Sequence, residues 1–325
     1  MIPGPGAYIL PLPASVTRRA TLENTHTLPV AAPVRAPAQG REERVEVLAR
    51  ACTEDLISAF GLGGLEPGAT RSFLQLLSSV PARRLAQQIA TYDAVVGEAG
   101  LPAGGSWALG QMAREVVVEG REGVPREGPL LVVSNHPGLA DAVALFAAMP
   151  PEDLRVIAAE QPFLSALPNT SKALIPVPEK SNGRSKAARA AARHLRASGA
   201  VITFPGGRIE PDPAVLPGAV EALGAWSGSV DLFARLVPGL TVVPAVVSGV
   251  ISPAALRNPL ALVRTNPRDR QWLSATLQML VPALRDVTTR VEFGPPLRAD
   301  GETMLSRKTI EETRRLIGHA GKRWR

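Results

Sequence analysis

At 325 residues, with 45% hydrophobic residues, the chain has enough apolar material for one large α/β domain and a smaller attached unit. A single cysteine, Cys52, excludes an intrachain disulfide and a cysteine-based metal cluster. The formal net charge of +7 favours an anionic partner: a nucleotide-containing cofactor, a phosphate ester, an acidic carrier protein or a membrane surface. Nucleic acid is not favoured, because no basic run is interleaved with aromatic residues.

The N-terminal residues do not read as a signal peptide, since prolines and glycines stand where a basic region and an apolar core would be. No stretch reaches ~18 uninterrupted apolar residues, the minimum for a spanning helix. The low cysteine content suits a reducing compartment. We therefore expect a cytoplasmic protein that is soluble or peripheral on the inner face of the membrane.

Three units follow one another along the chain. Residues 1–40 are rich in Pro, Ala and Thr without periodicity, which predicts a flexible leader. Residues 41–113 show apolar residues at helical spacing and predict a small helical module. Within it, a first helix ends at Gly61, and further short helices are predicted at the ranges 72–79, 81–97 and 106–113.

From residue 114 to residue 325, strand and helix patterns alternate. Such alternation is typical of an α/β fold with a mainly parallel mixed sheet flanked by helices. The predicted strands are 116–119, 130–134, 154–158, 173–177, 200–204, 241–247 and 289–293. The predicted helices are 139–149, 184–198, 218–226, 228–236, 271–285 and 305–320.

The first motif with chemical content follows the apolar strand 130–134. His136 stands at the strand exit, Pro137 and Gly138 break the strand, and Asp141 falls in the first turn of the next helix. A carboxylate in a first helical turn favours its charged form, and a charged carboxylate can orient an imidazole that accepts a proton. A His and an Asp five positions apart are a weak signal alone; their placement at a strand exit predicts a catalytic dyad.

The second motif is the turn 204–208, after the apolar strand 200–203. It lies at the carboxyl end of a strand, where open α/β sheets place ligands. The paired glycines Gly206 and Gly207 let backbone amides approach an anion, and Arg208 supplies a fork-shaped donor suited to phosphate. The alternative is a tight turn with an ordinary surface arginine.

The third motif, at residues 175–186, also leaves a strand and enters a helix. Lys180, Arg184 and Lys186 gather positive charge near the helix start, where backbone amides also favour anions. The alternative is a solvated helix face.

Together these stretches resemble the glycerolipid acyltransferase superfamily, whose members move fatty acyl groups onto glycerol phosphate and lysophospholipids. The resemblance runs from about residue 116 to residue 297. The blocks that carry it, in order, are Val118-Glu119-Gly120, Ser134-Asn135-His136 with Asp141, Phe204-Pro205-Gly206-Gly207, Val242-Val243-Pro244-Ala245, and Val291-Glu292-Phe293-Gly294-Pro295-Pro296-Leu297. The third of these matches a block usually written Phe-Pro-Glu-Gly, so that a glycine, Gly206, stands where the glutamate is usual.

Within the superfamily, the turn at 204–208 looks most like that of the soluble glycerol-3-phosphate acyltransferases of plastids. Those enzymes also carry a helical module ahead of the α/β domain. Their substrate phosphate is held by two arginines in this turn and by a Lys-His pair in the preceding block. Here Arg208 is present, Glu210 stands in place of the second arginine, and Ser181 rather than histidine follows Lys180.

The resemblance implies acyl transfer. His136, oriented by Asp141, would take the proton from an acceptor hydroxyl as it attacks the thioester of acyl-CoA or an acyl carrier protein. The acceptor would be glycerol 3-phosphate or a lysophospholipid, and no metal or resident cofactor is implied. The residues expected to bind substrate are Asn135, Lys180, Gly206, Gly207 and Arg208. The alternatives are an acyltransferase with a non-phosphate acceptor, and a weakly active lipid- or carrier-binding protein on the same fold.

The C-terminal residues 298–325 contain eight basic and four acidic side chains. This excess predicts weak, salt-sensitive association with anionic bilayers. A solvated helix face is the alternative.

Overall fold

A computed structural model describes residues 25–27, 41–151, 153–178, 181–299 and 304–323. The strands are β1 (Thr25–Thr27), β2 (Glu115–Glu119), β3 (Leu130–Ser134), β4 (Leu154–Ala159), β5 (Leu174–Val177), β6 (Ala200–Thr203), β7 (Thr241–Ser248) and β8 (Thr288–Phe293). The longer helices are α1 (Arg41–Ala59), α2 (Ala69–Gly110), α3 (Leu139–Ala148), α5 (Ser181–Arg196), α7 (Ser229–Leu236), α10 (Pro267–Leu280) and α11 (Leu305–Arg323). The four-residue helices are α4 (Pro162–Ser165), α6 (Ala219–Ala222), α8 (Pro253–Leu256) and α9 (Pro259–Leu262).

The strands form one sheet in the order β1-β2-β8-β7-β3-β6-β4-β5. Pairing is parallel except between β1 and β2 and between β7 and β8. The predicted α/β fold, with a mainly parallel mixed sheet behind a helical module, is confirmed. The predicted leader, residues 1–40, lies outside the described residues except for residues 25–27. These form β1, a three-residue strand that the sequence did not predict and that pairs with β2.

Strand β3 lies inside the sheet, between β7 and β6, and its side chains are therefore buried on both faces. Leu130 and Val132 enter the cluster that contains α3 and the helical module, whereas Leu131 and Val133 enter the cluster on the opposite face. All four are at most 1% exposed. Since β3 is parallel to β6 and β7, and β4 and β5 continue the parallel set, the exits of β3, β5 and β6 share one edge. All three sequence motifs therefore begin at that edge.

In the helical module, α2 joins the predicted helices at 72–79 and 81–97, which corrects that separation, while a kink at Gly100 divides it between the predicted helices at 81–97 and 106–113. It runs through Pro81, and the only non-helical backbone inside it is at Gly100, with φ of 81°. Pro81 removes one hydrogen bond, but the turn that follows is held by packing. Ala82 is fully buried with Cys52 and Leu56 of α1, so the α1–α2 interface keeps both sides of the proline in line.

The module packs directly on the α/β domain. A Cβ atom on Gly105 of α2 would meet the backbone oxygen of Val143 in α3 at 2.5 Å, so the two helix backbones lie in close contact. Asp93 of α2, 2% exposed, accepts hydrogen bonds from the backbone N–H and the hydroxyl of Thr170, both at 2.8 Å. One hydrophobic cluster contains side chains of both units.

Helix boundaries differ from prediction where prolines act. Helix α10 begins four residues before the predicted 271, because Asn266 caps its N-terminus and Pro267 takes the first position. It ends at Leu280, ahead of Pro282, and not at residue 285. Within the described residues, no helix is both long and apolar enough to cross a membrane.

Candidate active site

The side chains of His136 and Asp141 meet at the exit of β3. Nδ1 of His136 lies 2.7 Å from Oδ2 of Asp141. The turn at Pro137 and Gly138 lets this happen, since it folds the start of α3 back beneath the imidazole. The predicted proximity of the two side chains is present. Because an ionised carboxylate only accepts, Nδ1 carries the proton and Nε2 is left with a lone pair.

Asp141 is fully buried and held by the turn it helps to form. Its Oδ2 also accepts the N–H of Gly138 at 2.9 Å, and it lies in the first turn of α3, where the helix dipole favours an anion. The imidazole ring of His136 packs on Phe204, with ring centroids 4.7 Å apart. The dyad is therefore fixed from two neighbouring strand exits.

The imidazole of His136 is 29% exposed, so its outer edge reaches solvent. Burial lowers the pKa of His136, but the Asp141 carboxylate and, further off, that of Glu210 raise it. The net result is a pKa above the ordinary 6.5. An imidazole in this setting is neutral only at pH values above that raised pKa, and only the neutral form can accept a proton.

Glu210 is a component of the site that the sequence reading missed. Its carboxylate is 4% exposed; Oε2 accepts the backbone N–H of His136 at 3.0 Å, and Oε1 accepts Nε1–H of Trp226 at 2.7 Å. The backbone N–H of Glu210 donates in turn to the carbonyl of His136 at 2.8 Å. Gln271 of α10 donates to the carbonyls of Pro137 and Glu210 at 2.5 and 2.9 Å. The loop that carries His136 is thus tied to the 204–210 turn at several points.

Asn135, predicted to contact substrate, is used inside the sheet. Its Nδ2 donates to the carbonyl of Val247 at 2.9 Å, and its Oδ1 accepts the N–H of Val247 at 2.8 Å. The side chain is 2% exposed. An amide that imitates a strand neighbour in this way extends the β3–β7 pairing beyond Ser134 and positions His136. The substrate contact of Asn135 stays a prediction, and the structure shows both of its amide groups bonded inside the sheet.

Asp212 organises the loop opposite Gly138. The carboxylate is fully buried and accepts four backbone N–H groups, those of Ala214, Gly249, Val250 and Ile251. Side chains of this loop reach Gly138, because a Cβ there would lie 3.5 Å from Ile251 Cδ1. The turn below the dyad therefore rests on a loop fixed by a buried anion.

The 204–208 turn presents Arg208 to solvent. The N–H of Gly207 donates to the carbonyl of Phe204 at 3.0 Å, and Gly207 has φ of 61°, a conformation that favours glycine. Arg208 is exposed, and among the described residues no carboxylate pairs with its guanidinium. Glu210 points inward, so the two side chains do not neutralise each other.

The third motif is only partly described. Lys180 lies outside the described residues. Arg184 and Lys186 are exposed near the start of α5, which begins at Ser181. The structure thus brings His136, Asp141 and the 204–208 turn together at one edge of the sheet.

The family model called Acyltransferase matches residues 115–248. This range contains the dyad, the 204–208 turn and β7. Over these residues the chain matches the acyltransferase family. The match confirms the acyltransferase resemblance drawn from the motif blocks, whereas the special likeness to the plastid enzymes stays a prediction.

The crystal structure of the 1-acyl-sn-glycerophosphate (LPA) acyltransferase PlsC from Thermotoga maritima is similar at 17% sequence identity and a TM-score of 0.42. That similarity covers 88% of this chain and 99% of PlsC. No curated protein matches the chain.

Proposed function

We propose that this protein transfers a fatty acyl group from an acyl thioester to a hydroxyl of glycerol 3-phosphate or a lysophospholipid. The single observation that carries the proposal is the His136–Asp141 pair at 2.7 Å, inside the acyltransferase domain and at the carboxyl edge of its sheet. The thioester donor is acyl-CoA or an acyl carrier protein.

In this mechanism Nε2 of His136 takes the proton of the acceptor hydroxyl as its oxygen attacks the thioester carbonyl. The thiol leaves with a proton, and no covalent enzyme intermediate is required, since the thioester is already activated. Asp141 holds the tautomer and stabilises the imidazolium that forms. Base catalysis of this kind contributes about 10²–10⁴-fold.

The developing oxyanion needs donors close to the dyad. Of the amides in the 136–140 turn, that of His136 is used by Glu210 and that of Gly138 by Asp141, and Pro137 has none. We therefore assign the oxyanion contact to the first-turn amides at 139 and 140, since helix N-termini present such groups.

Arg208 is the proposed phosphate contact. It is exposed at the strand edge that also carries His136, and the carboxylate nearest in sequence, Glu210, is turned away from it. Both points favour a phosphate ester. Lys180, which follows β5 in the chain, is proposed as a second contact. Gly207, with open space beside it, is proposed to let the anion approach, whereas the space beside Gly206 holds the Glu210 carboxylate.

We further propose that the protein binds weakly to anionic bilayers, where a lysophospholipid acceptor would be met. Four apolar side chains of α2 are 60–71% exposed and recur at helical spacing, a set that we name the α2 stripe: Phe73, Leu76, Leu77 and Val80. Arg84 beside the stripe is exposed, whereas Arg71 and Arg83 pair with carboxylates of α1; no acidic residue occurs from Ala69 to Tyr92. An exposed apolar stripe suits a lipid interface, and the positive charge of Arg84 beside it favours anionic lipid.

The test is a turnover screen. Purified protein is given acyl-CoA or acyl carrier protein with glycerol 3-phosphate, a lysophospholipid or a neutral alcohol, and release of free thiol is followed. Acceptor-dependent release that is lost in His136→Ala supports the proposal. Absence of acceptor-dependent release with every pair would leave a lipid- or carrier-binding protein as the better description. Release with the neutral alcohol alone would point to the non-phosphate acceptor.

A further inference from the structure

The space beside Gly206 is filled by the carboxylate of Glu210. A Cβ atom built on Gly206 would overlap Oε1 of Glu210, and the Glu210 Cδ atom would lie 3.1 Å from it. A side chain at position 206 would therefore point into the volume that the carboxylate now holds. The two positions compete for one site.

This volume is a built carboxylate site. Two donors converge on it, the backbone N–H of His136 at 3.0 Å and Nε1–H of Trp226 at 2.7 Å. An ionised carboxylate fits this site, because each of its oxygens accepts one of the two hydrogen bonds. The side-chain amide of a glutamine would place its NH₂ group against one of the two donors. Related blocks carry a glutamate at the position of Gly206, whereas here the glutamate comes four residues later.

We propose that Glu210 is a positioning residue for His136, which supplies from position 210 the carboxylate that related sequences place at position 206. The proposal rests on the proposed function, because positioning matters only if His136 is the base. The side chain of Glu210 accepts the N–H of His136, and its backbone N–H donates to the carbonyl of His136. These two bonds fix where Nε2 lies relative to the thioester. It touches no reacting atom itself.

A role in stability alone is the competing account, and it predicts different kinetics. If Glu210 only stabilised the turn, its replacement would lower the melting temperature and leave kcat of the folded fraction unchanged. If Glu210 positions His136, kcat falls in the folded protein while KM for both substrates stays close to its original value. Misplacement of a base by a fraction of an ångström to 1 Å costs on the order of 10–100-fold.

The decisive experiment moves the carboxylate. Glu210→Ala and Glu210→Gln should each lower kcat about 10- to 100-fold. Gly206→Glu alone should also lose activity, because two carboxylates would share one volume. The double variant Gly206→Glu/Glu210→Ala should recover at least about 10-fold over Glu210→Ala, since one carboxylate is again available to the same two donors. Trp226→Phe, which removes one donor and leaves His136 gripped, should lose less than Glu210→Gln.

A readout without substrate keeps the proposal separate from the proposed function. The imidazole of His136 is titrated by NMR, its signal assigned by its absence in His136→Ala. Removal of the Glu210 charge should move the midpoint to lower pH. Folded Glu210→Ala and Glu210→Gln with wild-type kcat and an unmoved midpoint would overturn the positioning role, as would a folded double variant no better than Glu210→Ala. If His136→Ala keeps full activity while Glu210→Gln still shifts the midpoint, the proposed function is overturned. The contact between Glu210 and His136 would then remain established.

Discussion

Nδ1 of His136 lies 2.7 Å from Oδ2 of Asp141, although the side chains would diverge on a continuous helix. The pairing depends on the reversal at Pro137 and Gly138, and on the N–H of Gly138, which donates to the same carboxylate oxygen. The same carboxylate therefore stabilises the turn and orients the imidazole. Its consequences can be measured separately.

Replacement of His136 by Ala should lower kcat by about 10²–10⁴-fold, since proton removal from the acceptor is lost. Asp141→Asn should fall in the same range, because an amide no longer fixes the tautomer with Nε2 free. Steady-state release of thiol from the donor provides the measurement. His319→Ala is the matched control, as His319 is exposed on α11 and far along the chain from the site. Full activity in His136→Ala would remove the proposed base.

Activity should fall as pH drops through the pKa of His136, which is raised above 6.5. The neutral imidazole is the active form, so kcat/KM has an acid limb at that raised pKa. Removal of the Asp141 charge should move the limb to lower pH in the residual activity of Asp141→Asn. A pH profile of both proteins gives the two positions. An unmoved or raised limb in the variant would contradict the assignment.

The same shift predicts a pH dependence of stability. Because the folded pKa exceeds the unfolded value of 6.5, the pair contributes stability fully below that value. The contribution disappears as pH rises through the folded pKa. Urea unfolding of the wild type and His136→Ala should therefore show a difference that shrinks towards alkaline pH. A difference that grows with pH would show that the pKa is not raised.

Replacement of Arg208 by Ala should raise KM for a phosphate acceptor about 10- to 100-fold, the cost of one charged contact of roughly 1.5–3 kcal/mol. KM for the acyl donor should hardly change. Arg126→Ala is the control, since Arg126 is an exposed arginine before β3, at the opposite edge of the sheet. Unchanged acceptor KM in a folded Arg208→Ala would remove the phosphate site and favour a neutral acceptor.

Asp93 should be a major contact between the helical module and the α/β domain. Its carboxylate receives the backbone N–H and the hydroxyl of Thr170, both buried. Asp93→Ala leaves these donors without a partner, and we expect a loss of about 3 kcal/mol in the free energy of unfolding, since each such donor costs about 1–3 kcal/mol. Glu98→Ala, an exposed change one turn further on α2, should have little effect. Equal effects of the two would contradict the contact.

The α2 stripe should govern membrane binding. The double change Leu76→Ser/Leu77→Ser should reduce sedimentation with anionic vesicles at low salt, and high salt should weaken binding of the wild type. Val47→Ser is the control, because Val47 is a half-exposed apolar residue on α1. No sedimentation of the wild type at low salt would reject membrane binding, and loss only on removal of residues 304–323 would assign it to the C-terminal helix.

The sequence predicted what local pattern determines. The limits of β3 agree with prediction because four consecutive apolar residues flanked by turn signals leave little choice. His136 and Asp141 are close in the chain, so their pairing was also predictable. Long-range contacts were missed for the opposite reason. Glu210 reaches His136 across 74 residues, and the local pattern showed it only as the residue in place of a second arginine.

Two further differences have physical causes that a local reading does not contain. Pro81 predicted a helix start, but packing of Ala82 against α1 carries the helix through it. Asn135 carries amide groups suited to a substrate, and the backbone of Val247 happens to match them. In both cases tertiary contacts determined the outcome.

The contact of Gly105 with α3 limits how such a protein could be recombined. Helix α3 begins beside His136, and its backbone at Val143 and Ala147 leaves no room for a side chain at position 105. A chimaera that received the helical module of a relative would therefore need a glycine at that place, or α3 would be pushed away and Asp141 with it. A helical module without a glycine at this position could be exchanged only together with α3. The segment that must be transferred as a unit therefore crosses the boundary between the two predicted domains.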